Sequence, residues 1–160
     1  MENLPLFVPL FGLAGLGIAF ITYRRIVLEP GGEGRVAEIA GQIHDGAMVF
    51  MRRELMLIGA FAVVVGGLLT LKDPWEALAF FFGAAASSVA GYIGMYSATN
   101  VNVRTALAAN HKGAGAALTT AFFGGSIMGL TVASMGLLGV GTLFIFFGSS
   151  EKDVHVIHGF

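Results

Sequence analysis

Four stretches of this chain run without a single Asp, Glu, Lys or Arg: Asn3 to Tyr23, Leu55 to Leu71, Ala77 to Val103 and Gly113 to Ser150. Each approaches or exceeds the twenty or so apolar residues that a helix needs to cross a hydrocarbon layer about 30 Å thick. That feature excludes an ordinary water-soluble domain. With 56% hydrophobic and 12% charged residues in 160, the chain could not dress such segments in a polar shell. Disorder is excluded too, since disordered chains are poor in apolar residues and rich in charge. The 24 glycines keep no period of three and accompany only 4 prolines, which excludes collagen. No period-two alternation marks out a β-barrel, so helices are the expected spanning element. An all-α integral membrane protein remains.

The expected spans are about 3–23, 44–71, 77–103 and 117–148. The second has a lead-in, because Val36, Ile39, Ala40, Ile43, Ala47 and Phe50 recur at helical spacing. This predicts one long helix that starts amphipathic in water and turns uniformly apolar. The fourth stretch is read as a single tilted span. Ala121 to Phe147 offers only isolated Ser126, Thr131, Ser134 and Thr142, with no polar turn for a hairpin, and Ala116 to Thr120 makes a protruding polar start. Residues 154–160 are expected to open a further span.

Orientation follows from Lys and Arg in the short connections. Arg24, Arg25, Arg35, Arg52 and Arg53 are assigned to the region between the first two spans, and Arg104 and Lys112 to that between the last two. Lys72 and Lys152 belong to the other side. Seven against two places loops 24–43 and 104–116 in the cytoplasm and both chain ends outside, in a multi-pass cell-membrane protein. Trp75, beside Asp73 and Pro74, then reads as an outer-interface anchor. The first span reads as retained rather than as a signal peptide, since the pair Arg24 and Arg25 follows the apolar run and nothing positive precedes Leu4.

Small residues at spacing four invite close helix packing: Gly83, Ser87 and Gly91 in the third span, Gly125 and Gly129 in the fourth, Ala62 and Gly66 in the second. Packing is the first reading, and a ligand path lined by glycine is the other.

The chemistry is sparse. Zero cysteines remove thiolate catalysis, Cys-ligated zinc and Fe–S clusters. A net charge of −1 gives no reason to expect nucleic acid. No ionisable residue is placed near the membrane midplane, where pumps and transporters mark an ion path. Glu76 and Arg104 read as interface anchors. Gly31-Gly32-Glu33-Gly34 lacks the Gly-Lys-Ser/Thr of a phosphate loop and reads as a turn after Pro30. The three aspartates, Asp45, Asp73 and Asp153, fall on opposite sides and cannot share a magnesium site. His155 and His158, with Asp153, have metal-ligand spacing, although such a pair is ordinarily structural or solvated. His44 and His111 are isolated. No catalytic, substrate-binding or metal residue is expected here.

Three segments together resemble one family, the membrane-integral, ion-translocating inorganic pyrophosphatases. The first is Ile43-His44-Asp45-Gly46-Ala47 leading to Phe50-Met51-Arg52-Arg53-Glu54. The second runs from Gly91 to Ala106 and contains Gly94-Met95, Ala98-Thr99 and Asn102-Val103-Arg104-Thr105. The third joins Ala121-Phe122 and Gly124-Gly125-Ser126-Ile127-Met128-Gly129-Leu130 to Gly136-Leu137-Leu138-Gly139. The resemblance implies a homodimeric pump that hydrolyses cytoplasmic pyrophosphate with Mg²⁺ and moves H⁺ or Na⁺ outward, with or without a need for K⁺. It also implies many more helices in an inner and an outer ring, with these four in the outer one. The family's substrate and ion-gate motifs match no position here. On that basis the chain is expected to be the N-terminal part of a longer pump and inactive alone. A free-standing four-helix assembly subunit and a small oligomeric transporter are the alternatives.

Overall fold

Apolar length decides the elements. Helix α1 spans Leu4–Val27, α2 Arg35–Lys72, α3 Pro74–Lys112 and α4 Ala114–Phe147, followed by a short 3₁₀ turn at Val154–Gly159. The structure, a computed structural model, describes residues 4–147 and 154–160. All four helices are long and apolar enough to cross a membrane, and no strand occurs among the described residues. The lead-in and the second apolar stretch form one helix, and the fourth stretch is one helix from Ala114 to Phe147.

The breaks between helices are short and have specific causes. After α1 the chain turns through residues 28–34, where Gly32 and Gly34 take φ of +88° and +56°, a region that side chains disfavour. Asp73 leaves α2 in an extended conformation and caps α3, its Oδ1 accepting from the Trp75 N–H at 2.8 Å, with Pro74 in the first turn. Lys72 and Glu76 pair across this turn at 3.0 Å. Between α3 and α4 stands Gly113 alone, with φ of +86°.

The segments between the expected spans are themselves largely helical. Segment 104–116 is helical except at Gly113, and only 28–34 of segment 24–43 lies outside helices. Polar residues mark where a helix leaves an apolar medium, not where it ends. Nothing from Arg104 to Lys112 breaks a helix, so α3 continues until a glycine permits the turn.

Helix α4 lies between α1 and α3, while α2 packs on α3 and touches neither α1 nor α4. The buried residues of α4 are Gly124, Ile127, Thr131, Ser134, Gly139 and Gly141; apart from Gly139, which meets the Phe160 ring, they form a seam in steps of three and four with one position skipped at Leu138. Ile127 and Thr131 are 1% exposed. Gly12 lies against Ser134 and Leu138, Gly15 against Ser134, and Gly141 against Val8 and Pro9, so α1 and α4 run antiparallel at glycine-width separation. Val101 of α3 fills the space beside Gly124.

The spacing-four residues divide. Gly66 meets the Phe81 ring, as close packing requires, and Gly83 meets the backbone of Phe160. Gly91, Gly125 and Gly129 have nothing within 4 Å. The GxxxG of α4 therefore lies off the seam, one residue or about 100° around the helix from Gly124.

Candidate functional site

All three tyrosines of the chain gather at one level of the bundle. Tyr23 of α1 lies 6.4 Å from Tyr96 of α3, ring centre to ring centre, and Tyr92 stacks on Tyr96 at 6.3 Å, one helical turn away. From α2, His44 meets the Tyr96 ring edge-on at 5.2 Å, and its Nδ1 is 2.7 Å from Thr99 Oγ1. Thr99 Oγ1 also lies 3.0 Å from the Tyr96 carbonyl of its own helix, within reach of its hydroxyl hydrogen. His44, isolated in the sequence, thus has partners on α3. Only the antiparallel register of α2 on α3 brings residues 55 positions apart together, and no local signal carries it.

The same register, with His44 beside Tyr96 and Gly66 beside Phe81, sets Arg52 and Arg53 level with Tyr92. At the far end of the bundle the single tryptophan, Trp75, packs on Phe147 at 5.6 Å. Tyr92 and Tyr96 follow Trp75 on α3 by 17 and 21 residues, roughly 26–32 Å at 1.5 Å per residue.

Beyond the tyrosines, Arg104 closes the end of α1. Its Nε donates to the Glu29 carbonyl at 2.9 Å, Nη2 to the Val27 carbonyl at 3.0 Å and Nη1 to the Asn100 carbonyl of its own helix at 2.7 Å. The last carbonyls of a helix have no partner within it and carry partial negative charge. Here Leu28 and Glu29 N–H groups cover the Arg24 and Ile26 carbonyls, and the guanidinium takes those of Val27 and Glu29. Lys112 adds an exposed ion pair to Glu29 at 3.0 Å. The reading of Arg104 as an interface anchor missed this role. The signal available was an arginine at the level where a neighbouring helix ends.

Around these contacts lies a cavity of about 1050 Å³, lined by Thr22, Arg25, Glu29, Arg104, His111 and Lys112 among others. Its charges are mixed in sign, and those of Arg104, Lys112 and Glu29 already engage one another or the backbone. Among the described residues, no three of His, Cys, Asp and Glu stand close enough to hold a metal ion. Asp45 lies in the first third of α2 and Asp73 beyond its end, 28 residues on, roughly 42 Å at helical rise. Asp153 and the His155 side chain fall outside the described residues, and His158 is exposed. What this end of the bundle does chemically is hold three helices and a turn in one arrangement.

Comparison with known proteins fits this picture. The family model described as inorganic H⁺ pyrophosphatase matches residues 13–160. A K(+)-insensitive pyrophosphate-energized proton pump 2 of Moorella thermoacetica is 40% identical over 95% of this chain and 22% of its own length. A K(+)-insensitive pyrophosphate-energized proton pump of Methanosarcina mazei is 40% identical over 96% of this chain and 23% of its own. A K(+)-stimulated pyrophosphate-energized sodium pump of Thermotoga maritima is 40% identical over 87% of this chain and 19% of its own. The chain thus spans about a fifth of the length of these relatives. By the family match and by these identities along nearly its whole length, the chain belongs to the membrane-bound, ion-pumping inorganic pyrophosphatases.

Proposed function

We propose that this chain is the outer scaffold of a pump that couples pyrophosphate hydrolysis to outward transport of H⁺ or Na⁺, and that it is inactive by itself. The observation that carries this reading is the coverage: relatives named as pumps match it closely over only about a fifth of their length. Magnesium pyrophosphate needs several carboxylates around its ions. The described residues assemble no such set, so the metal and the substrate are assigned to the rest of the pump. The pumped ion is assigned there too, because proton and sodium pumps are equally similar to this stretch. Homodimer formation is proposed for the whole pump on family grounds. The 160-residue chain, reconstituted in lipid with Mg²⁺ and pyrophosphate, is expected to release no phosphate. Robust turnover would overturn the assignment.

The bilayer is proposed to lie between the tyrosine level and Trp75. Both residue types favour membrane–water interfaces, and their separation matches a hydrocarbon core of about 30 Å. Arg52 and Arg53 then reach the interface, and the apolar run Leu55 to Leu71 does the crossing. With seven of nine basic residues beyond the tyrosines or at their level, that side is the cytoplasm. The absence of native cysteine makes the test clean. In right-side-out vesicles, a thiol reagent that cannot cross lipid should label Trp75→Cys and spare Lys112→Cys. The reverse pattern would invert the topology.

A further inference from the structure

Helices α1 and α3 touch only lightly, and between them runs a groove of about 270 Å³, floored by Ile127 of α4. Leu16 and Phe20 form one wall, Ile93 the other, and Tyr23 and Tyr96 frame one end. On the bilayer placement proposed above, its tyrosine end lies at the cytoplasmic interface. A helical turn about 10 Å wide and 5.4 Å tall occupies roughly 420 Å³. The groove is smaller than that. It cannot seat another helix, but it can take one flexible hydrocarbon chain.

The charge at its mouth selects the rest of the ligand. Arg24 stands four residues beyond Phe20, hence on the same face of α1, one turn past the groove wall. Arg24 is exposed and forms no ion pair with the described residues. A guanidinium at headgroup depth beside a hydrocarbon-sized trough matches a phosphodiester joined to an acyl chain. We propose that this groove binds one acyl chain of an anionic phospholipid from the cytoplasmic leaflet, with its phosphate against Arg24.

The test uses the 160-residue chain in bilayer discs of equal phosphatidylglycerol and phosphatidylcholine, released into mild detergent and weighed by native mass spectrometry. Wild type is expected to keep one phospholipid per chain, with phosphatidylglycerol favoured severalfold. Leu16→Trp and Ile93→Trp, which fill the trough from opposite walls, should each reduce retention at least fivefold with helical circular dichroism unchanged. Arg24→Gln should still hold one lipid but lose the preference for phosphatidylglycerol. The proposal is overturned if wild type keeps no lipid. Retention unchanged in both tryptophan variants would overturn it as well. A preference that survives Arg24→Gln would overturn the phosphate assignment.

Discussion

Arg104→Ala is expected to free the C-terminal end of α1 and expose the turn at residues 28–34. The variant loses two guanidinium hydrogen bonds to carbonyls of another segment, at Val27 and Glu29. Charge-assisted bonds of this kind contribute about 1.5–3 kcal/mol each. The Glu29 contact is exposed, so the combined loss is discounted to about 2–4 kcal/mol. Where local opening is fast compared with cleavage, that loss becomes roughly 30- to 700-fold faster proteolysis within 28–34. Arg104→Lys should recover only part of the protection, because a single ammonium on a flexible stem cannot span two carbonyls as a planar fork does. Lys112→Ala removes an exposed pair and should change cleavage by less than about fivefold, in line with exposed pairs worth under 1 kcal/mol. Equal cleavage of wild type and Arg104→Ala would show that the guanidinium does not hold the end of α1.

The helices were readable from charge-free length, because lipid imposes a threshold on each segment separately. Asp73-Pro74 was readable as an interruption, since capping and proline chemistry are local. The register was not. His44 against Thr99, Arg104 against Val27 and Gly66 against Phe81 each join residues of different helices, and spacing along one helix says nothing about rotation of the next. That is also why the GxxxG of α4 misleads. Gly124 and Gly125 are adjacent glycines in one sequence, and only the positions of α1 and α3 decide which of them faces a neighbour. The family resemblance reached the right class through segments around Arg52, Arg104 and Gly124. It did not reveal that two of them, at Arg104 and Gly124, are contact points between helices.

That ambiguity yields the other large effect expected. Gly124→Leu places four carbons where Val101 already lies, and Val101 is 4% exposed, with no room to withdraw. Overpacking of a filled interface costs about 1–3 kcal/mol, and a side chain this large belongs at the upper end. Gly125→Leu, one position on, points into open space. It gains the better helix propensity of leucine, up to about 1 kcal/mol where no neighbour interferes. The two substitutions are the same chemistry on neighbouring residues, yet they should move stability in opposite directions. Unfolding of the chain in mixed micelles with rising dodecyl sulfate, followed by circular dichroism, would measure both. Gly129→Leu should follow Gly125→Leu, and Gly15→Leu, which meets Ser134, should follow Gly124→Leu. Were Gly125→Leu or Gly129→Leu as damaging as Gly124→Leu, the seam of α4 would have to be rotated by about 100° and the α1–α4–α3 arrangement abandoned.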